Sequence, residues 1–182
     1  AGKSETTEPR ANACGLGMVR AGGLTGLPAL VRELGADPAP LIVRCCLLAD
    51  ALDEADNPIP FRAGAQLLQL VARQTACAHV GVLVGLRQGL SSLGPIGALA
   101  RNCPDLRSAL LSLVEHIRLQ DTGGVSTLEE SGRLASFSYA VRARVDAGIV
   151  QVYQVSLAAI VRFVQGLCGP GWRLASVHFG FA

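Results

Sequence analysis

Three histidines, two tyrosines and six cysteines are the side chains of this 182-residue chain best suited to specialised chemistry, and their spacing narrows what that chemistry is. His79, His116 and His178 give no pair with metal-binding spacing. Cys14, Cys45, Cys46, Cys77, Cys103 and Cys168 form no Cys-x-x-Cys pair and no Cys/His cluster of zinc type. No metal and no cofactor is expected. A search for nucleophiles ends at Gly89-Leu-Ser-Ser-Leu-Gly, whose spacing is wrong for the Gly-x-Ser-x-Gly elbow. Ser92 there reads as a helix cap, with its hydroxyl as a weaker binding candidate. Glu129 and Glu130 alternate along an expected strand and point apart, so they make no carboxylate pair. With no acid, base and nucleophile set, an enzyme is not expected. What remains is binding chemistry. His116 falls near a helix C-terminus, where a charged imidazole is favoured electrostatically. That is the favoured reading, and the lesser alternatives are a pocket group or, at the limit, a haem ligand. Arg118 follows two residues later. Tyr139 and Tyr153 both lie in apolar surroundings, either as ordinary boundary residues or as hydroxyl handles inside an apolar pocket. Phe137 shares a strand face with Tyr139.

These side chains must be positioned by the elements around them. The stretch from Pro60 to Asp121 organises the chain, with apolar helical segments punctuated by Gly and Pro. Leu27, Leu30, Val31 and Leu34 make one helical face with Pro28 in its first turn, and a second helix starts at Asp37-Pro38 and runs to about Leu48. Further helices are expected over 63–74, with Leu67, Leu70 and Val71 inward, and over about 79–86. Another follows Ser92, with Leu93, Ile96 and Leu99 inward. The clearest begins at Pro104-Asp105 with the stripe Leu106, Ala109, Leu110, Leu113 and Ile117. The period then changes. Residues 125–130 and 134–142 alternate as two strands joined at Ser131-Gly132. A long helix over 148–168 is apolar nearly all round, with Gln151, Gln154, Arg162 and Gln165 on one narrow stripe, so it is expected to be buried on most sides. Residues near 175–181 alternate again as a third strand. The fold class is α+β: a helix-rich single domain with a small antiparallel sheet made of the 125–142 hairpin and a strand near 175–181.

Composition sets the outer limits. Half the residues are hydrophobic, enough for one sizeable core, and the formal net charge of +2 with scattered arginines gives no nucleic-acid stripe. Residues 1–23 are expected to be a flexible N-terminal segment. Its Gly15-Leu-Gly-Met-Val-Arg-Ala-Gly-Gly fails as a dinucleotide fingerprint because no strand precedes it and Arg20 stands at the third glycine. The cysteines fall mostly in apolar runs and are expected to be free thiols in a reducing, cytoplasmic setting. No run of about 18 uncharged apolar residues and no signal-peptide pattern is seen, so no membrane association is expected.

Leu34-Gly-Ala-Asp-Pro, Ile59-Pro-Phe and Gly85-Leu-Arg-Gln-Gly-Leu-Ser-Ser-Leu-Gly-Pro-Ile-Gly-Ala-Leu carry a more specific signal. So do Arg118-Leu-Gln-Asp, Ser138-Tyr-Ala-Val, Leu167-Cys-Gly-Pro-Gly-Trp-Arg and Val177-His-Phe. In this order and spacing, over 24–182, they resemble the N-terminal arabinose-binding-like domain of AraC-type bacterial transcription regulators, of the ornithine-utilisation-regulator type. The resemblance implies a cytoplasmic effector-sensing domain for a small-molecule metabolite. It makes a homodimer plausible, and it implies DNA binding only through a C-terminal helix-turn-helix domain absent from this chain. The domain itself is expected to be truncated at its C-terminal end. The resemblance assigns no effector contacts, so the candidate set rests on local chemistry: Tyr139, Tyr153, His116, Arg118, Ser92 and Phe137, with His116 and Arg118 suited to a carboxylate-bearing effector. The alternative is a dimerisation or interaction module without a ligand.

Overall fold

The computed structural model describes residues 17–180. The chain begins with a three-residue strand, β1 (Met18–Arg20), and a 3-10 turn over Ala21–Gly23. Two short helices follow, α1 (Leu27–Glu33) and α2 (Pro38–Arg44), each with proline in its first turn. Asp37 caps α2 by accepting the Ala39 N–H at 3.1 Å. Strand β2 (Pro58–Pro60) pairs antiparallel with β1, setting Met18 opposite Pro60 and Arg20 opposite Pro58. It leads into α3 (Phe61–Gln74) and α4 (Val80–Leu86). A 3-10 turn over Leu90–Leu93 precedes α5 (Pro95–Arg101) and α6 (Leu106–His116). Asp105 caps α6 through the Ser108 N–H at 2.7 Å. The hairpin β3 (Gly124–Ser131) and β4 (Leu134–Val141) runs in continuous register from Gly124 opposite Val141 to Ser131 opposite Leu134. The long helix α7 (Ile149–Cys168) follows.

The α+β class therefore holds, with two corrections to its sheet content. The third strand expected near 175–181 is not formed over 175–180, and Phe181 lies outside the described residues. Alternation makes a segment able to be a strand, but a strand exists only where an edge accepts its hydrogen bonds. No described edge is paired with this segment. Conversely, residues 17–23, expected as part of a flexible lead, form β1 and its turn. They are held by Arg20 N–H donating to the Gln120 carbonyl and Thr122 N–H donating to the Met18 carbonyl, both at 2.8 Å. The expected disorder of 1–16 lies outside the described residues.

Two apolar clusters make up the core. The first gathers the inner faces of α1 to α4 with Ile59, and Tyr139, Val141 and Val155 pack against it. The second joins Ile96 and Ala100 of α5, Ala109, Leu110 and Leu113 of α6, and Phe163 and Val164 of α7. Leu128, Phe137 and Trp172 pack against that second cluster. The hairpin and α7 thus each span both clusters. Phe137 and Tyr139, expected together on one face, point toward different halves of the core because the face extends across both. Leu99, expected inward, is exposed, and α5 buries Ile96, Gly97 and Ala100 instead.

Helix α7 departs most from its sequence pattern. It buries Gln151, Val152, Ala158, Phe163 and Val164, while Val150, Arg162 and Gly166 are exposed, so it is covered along one side rather than most. It is long and apolar enough to cross a membrane by length and composition, a test that the core helix of a soluble protein also passes. Its closest partner is α4, which approaches through Gly81 and Gly85. Gln151 is buried at this contact, accepting the Gly81 N–H at 2.8 Å and donating to the Ala78 carbonyl at 2.9 Å. A polar side chain enters the interior here because it satisfies backbone groups that the start of α4 leaves open.

The five described cysteines are free thiols, with Cys45 and Cys77 buried; Cys14 lies outside the described residues. Burial pushes the Cys45 thiol above its ordinary range, against thiolate chemistry. Mass spectrometry of freshly purified, non-reduced protein is expected to show all five alkylated after denaturation. A bridge between any two would contradict this arrangement.

Candidate functional site

The densest polar constellation forms where α6 gives way to the hairpin. A 3-10 turn over Ile117–Leu119 ends α6, and the chain then reads Gln120-Asp121-Thr122-Gly123-Gly124. Asp followed two residues later by Gly favours a turn in which the carboxylate accepts backbone N–H groups. Asp121 does so: Oδ1 accepts the Gly123 N–H at 2.7 Å and the Gly124 N–H at 3.1 Å. Its Oδ2 accepts the Tyr139 hydroxyl at 2.6 Å. Both glycines are required by close approach. A methyl group on Gly124 would overlap the Tyr139 ring, and one on Gly123 would overlap Phe61.

Asp121 is only 8% exposed. Burial raises its affinity for a proton above the ordinary carboxylate value, and the bonds from Tyr139, Gly123 and Gly124 oppose that rise. Burial also raises the Tyr139 phenol well above its usual range, with the Asp121 carboxylate adding to the effect. Tyr139 meets Tyr153 of α7 edge to face, with ring centroids 6.2 Å apart and planes at 79°. The Tyr153 hydroxyl accepts the Val141 N–H at 3.4 Å. Around Asp121, Gln120 donates to the Leu93 carbonyl at 2.8 Å and Val19 of β1 bridges to Asp121. One five-residue turn therefore ties together β1, the Leu90–Leu93 turn, the hairpin and, through the tyrosines, α7.

The structure brings Tyr139 and Tyr153 together and leaves the other candidates apart from them. Phe137 packs in the second cluster. His116 is half-buried at the end of α6, with Nδ1 2.8 Å from the Ser112 carbonyl one turn earlier. Arg118 is exposed on the following turn. The Ser92 hydroxyl accepts the Gly89 N–H at 3.3 Å, within its own turn and not at the start of α5. A tight apolar crevice with no room for a water molecule lies elsewhere, between α1, α2 and α3, lined by groups including Leu27, Val31, Leu41, Leu67 and Val71. It shares no residue with the candidate set. Among the described residues no group of three or more His, Cys, Asp or Glu side chains is placed to hold a metal ion. Sequence reasoning missed Asp121, Gln120 and Gln151. The Asp-Thr-Gly-Gly run between a helix end and a strand was the available signal for the first.

The HTH-type transcriptional regulator VirS of Mycobacterium tuberculosis is 28% identical over 170 residues, in strains CDC 1551 / Oshkosh and ATCC 25618 / H37Rv alike. That alignment covers 91% of this chain and 49% of VirS, so the chain spans about half the length of the curated relatives it matches. A family model described as the arabinose-binding domain of AraC transcription regulators, N-terminal, matches residues 35–182. The match takes in α2 through α7 and the hairpin, and the chain belongs to this family of N-terminal AraC-regulator domains.

Proposed function

We propose that this chain is the small-molecule-sensing part of a cytoplasmic, homodimeric AraC-type regulator. Effector occupancy of residues 24–182 modulates DNA binding by a helix-turn-helix segment carried elsewhere in the parent protein. Family membership over 35–182 is the observation that carries this reading. Residue chemistry adds that its sequence carries no recognisable acid, base and nucleophile signature. The ornithine-utilisation type within the family rests on the sequence motifs alone.

The effector region is placed where the hairpin meets α7, because these two elements span both halves of the core. A ligand that changed their spacing would act on the whole domain. Tyr139 and Tyr153 supply hydroxyls and Phe137 supplies apolar lining. His116, Arg118 and the weaker candidate Ser92 lie apart from this pair, and the two cations among them suit a carboxylate-bearing metabolite that reaches beyond it. The test is a thermal-shift screen of metabolites, followed by calorimetry with whichever compound stabilises the protein. Tyr153→Phe and His116→Ala are each expected to weaken binding roughly ten- to hundredfold, the worth of one charge-assisted hydrogen bond. Wild-type affinity in both variants would move the site away from this junction.

The other reading is an interaction module with no effector. Exposed Leu48, Leu119 and Leu134 favour it. A screen with no stabilising metabolite, together with concentration-dependent self-association in light scattering, would select it.

A further inference from the structure

Asp121 is the single buried carboxylate among the described residues, and no cation accompanies it. The groups facing it are the Tyr139 phenol from β4 and the Gly123 and Gly124 amides from the turn and β3. Nearby cations are committed or remote: Arg20 of β1 pairs with Asp56 and Arg62 of α3 with Asp146, while Arg118 and Arg142 lie exposed. From α7 the facing titratable group is Tyr153, through Tyr139. We propose that Asp121 and Tyr139 form a proton-operated latch. With a proton on Asp121 the hairpin is held firmly against α7 and β1. With the carboxylate bare, its buried charge drives the 120–124 turn toward a looser, hydrated state.

The local geometry accommodates both forms. The bare carboxylate accepts all three donors, but it gives up its hydration with no opposite charge in return, which is costly in an apolar setting. A proton arriving from solvent on Oδ2 is donated to the Tyr139 oxygen. The phenol hydrogen then turns away from Oδ2, and Oδ1 still accepts the two glycine amides. The neutral form therefore keeps the Asp121–Tyr139 link and both glycine bonds without a buried charge, and the Tyr139 ring carries that link edge to face onto Tyr153 of α7. The sign of the pH effect follows. A carboxyl that binds its proton more tightly when folded than the ordinary value of 3.8 stabilises the fold most below that value. Its contribution is lost as pH rises through the folded value. Glu33 and Asp105, held below the ordinary range by Arg87 and by the Ser108 amide respectively, act in the opposite direction at acid pH. They are common to any pair of variants and cancel in a difference.

The latch shares Tyr139 with the proposed effector region, and it is tested with no effector present so that the two readings fail separately. Asp121→Asn imitates the protonated carboxyl permanently. The measurement is the melting temperature of wild type and variant from about pH 4 to about pH 8. The two are expected to agree near the acid end and to separate as pH rises, with the variant the more stable at neutral pH. Hydrogen exchange of the 136–141 amides in wild type, corrected for intrinsic rates, is expected to slow toward acid pH. A variant less stable than wild type at every pH, or a constant difference across the range, would overturn the proposal. If the variant does not fold, carbon NMR titration of the Asp121 carboxyl in wild type decides the matter. A midpoint above 3.8 supports the latch, and one at or below it overturns it.

Discussion

Gly85→Ala is expected to destabilise the domain by about 1–3 kcal/mol, where the same change at an open helix position would stabilise it by up to about 1 kcal/mol. The sign is what makes the experiment informative. A methyl group on Gly85 would stand 2.5 Å from the Val155 carbonyl oxygen and 2.6 Å from the Ala158 Cβ, both on α7. Neither is the far end of a flexible side chain, so α4 and α7 must move apart. Gly81, one turn earlier, is closed off by the Gln151 carbonyl and by the Gln154 Cβ at 2.8 Å. Separation would also stretch the Gln151 bonds to Gly81 and Ala78, leaving backbone groups unsatisfied in the interior. Thermal unfolding is expected to show a loss of roughly 2–4 °C per kcal/mol. A rise in melting temperature would mean that the helices are not seated as described.

Phe163→Ala is expected to cost more, about 3–5 kcal/mol, as for other buried aromatic truncations. Phe163 is 2% exposed and sits on α7 among Ile96, Ala100, Leu110 and Leu113. The cavity cannot close readily, because α5 and α6 approach it from one side and Leu128 and Phe137 of the hairpin also line this cluster. Val150→Ala, on the same helix but exposed, is expected to change stability by less than about 0.5 kcal/mol. Trp172 is the only tryptophan and packs against this cluster, so its fluorescence during urea unfolding reports on it directly. Equal urea midpoints for the two variants would show that α7 is not the support of the second core cluster.

Local chemistry made most helices legible. Asp37-Pro38 and Asp105 gave real caps because their signals lie within a few residues of the bonds they predict. The hairpin was legible for the same reason, through alternation on both sides of a Gly-containing turn. The failures are non-local. Strand β1 is three residues long, and its alignment depends on β2 some forty residues later and on the 120–122 backbone. Gln151 reads as a surface residue until the start of α4, seventy residues away, supplies its partners. The segment near 175–181 shows the converse, a strand pattern without a described edge to complete it. In the candidate site, the pairing of Tyr139 with Tyr153 was legible as two hydroxyls in apolar company. Asp121 was not, because its importance comes from burial, which a polar turn sequence conceals.

Strand β1 also has a consequence for synthesis. It is the first described element to leave the ribosome, yet the Met18 amide bonds to the Thr122 hydroxyl across a separation of 104 residues. The chain must keep this short segment unpaired on that side while four-fifths of the region from β1 to the end of the hairpin is made. Helices α1 to α6 can form locally as they emerge, with low closure cost. The N-terminal strand can settle on its second side only after the turn carrying Asp121 has been translated. A fusion partner or deletion placed at residues 18–20 therefore acts late in maturation, loosening the 120–122 turn made long afterwards as well as the segment at which the change was introduced.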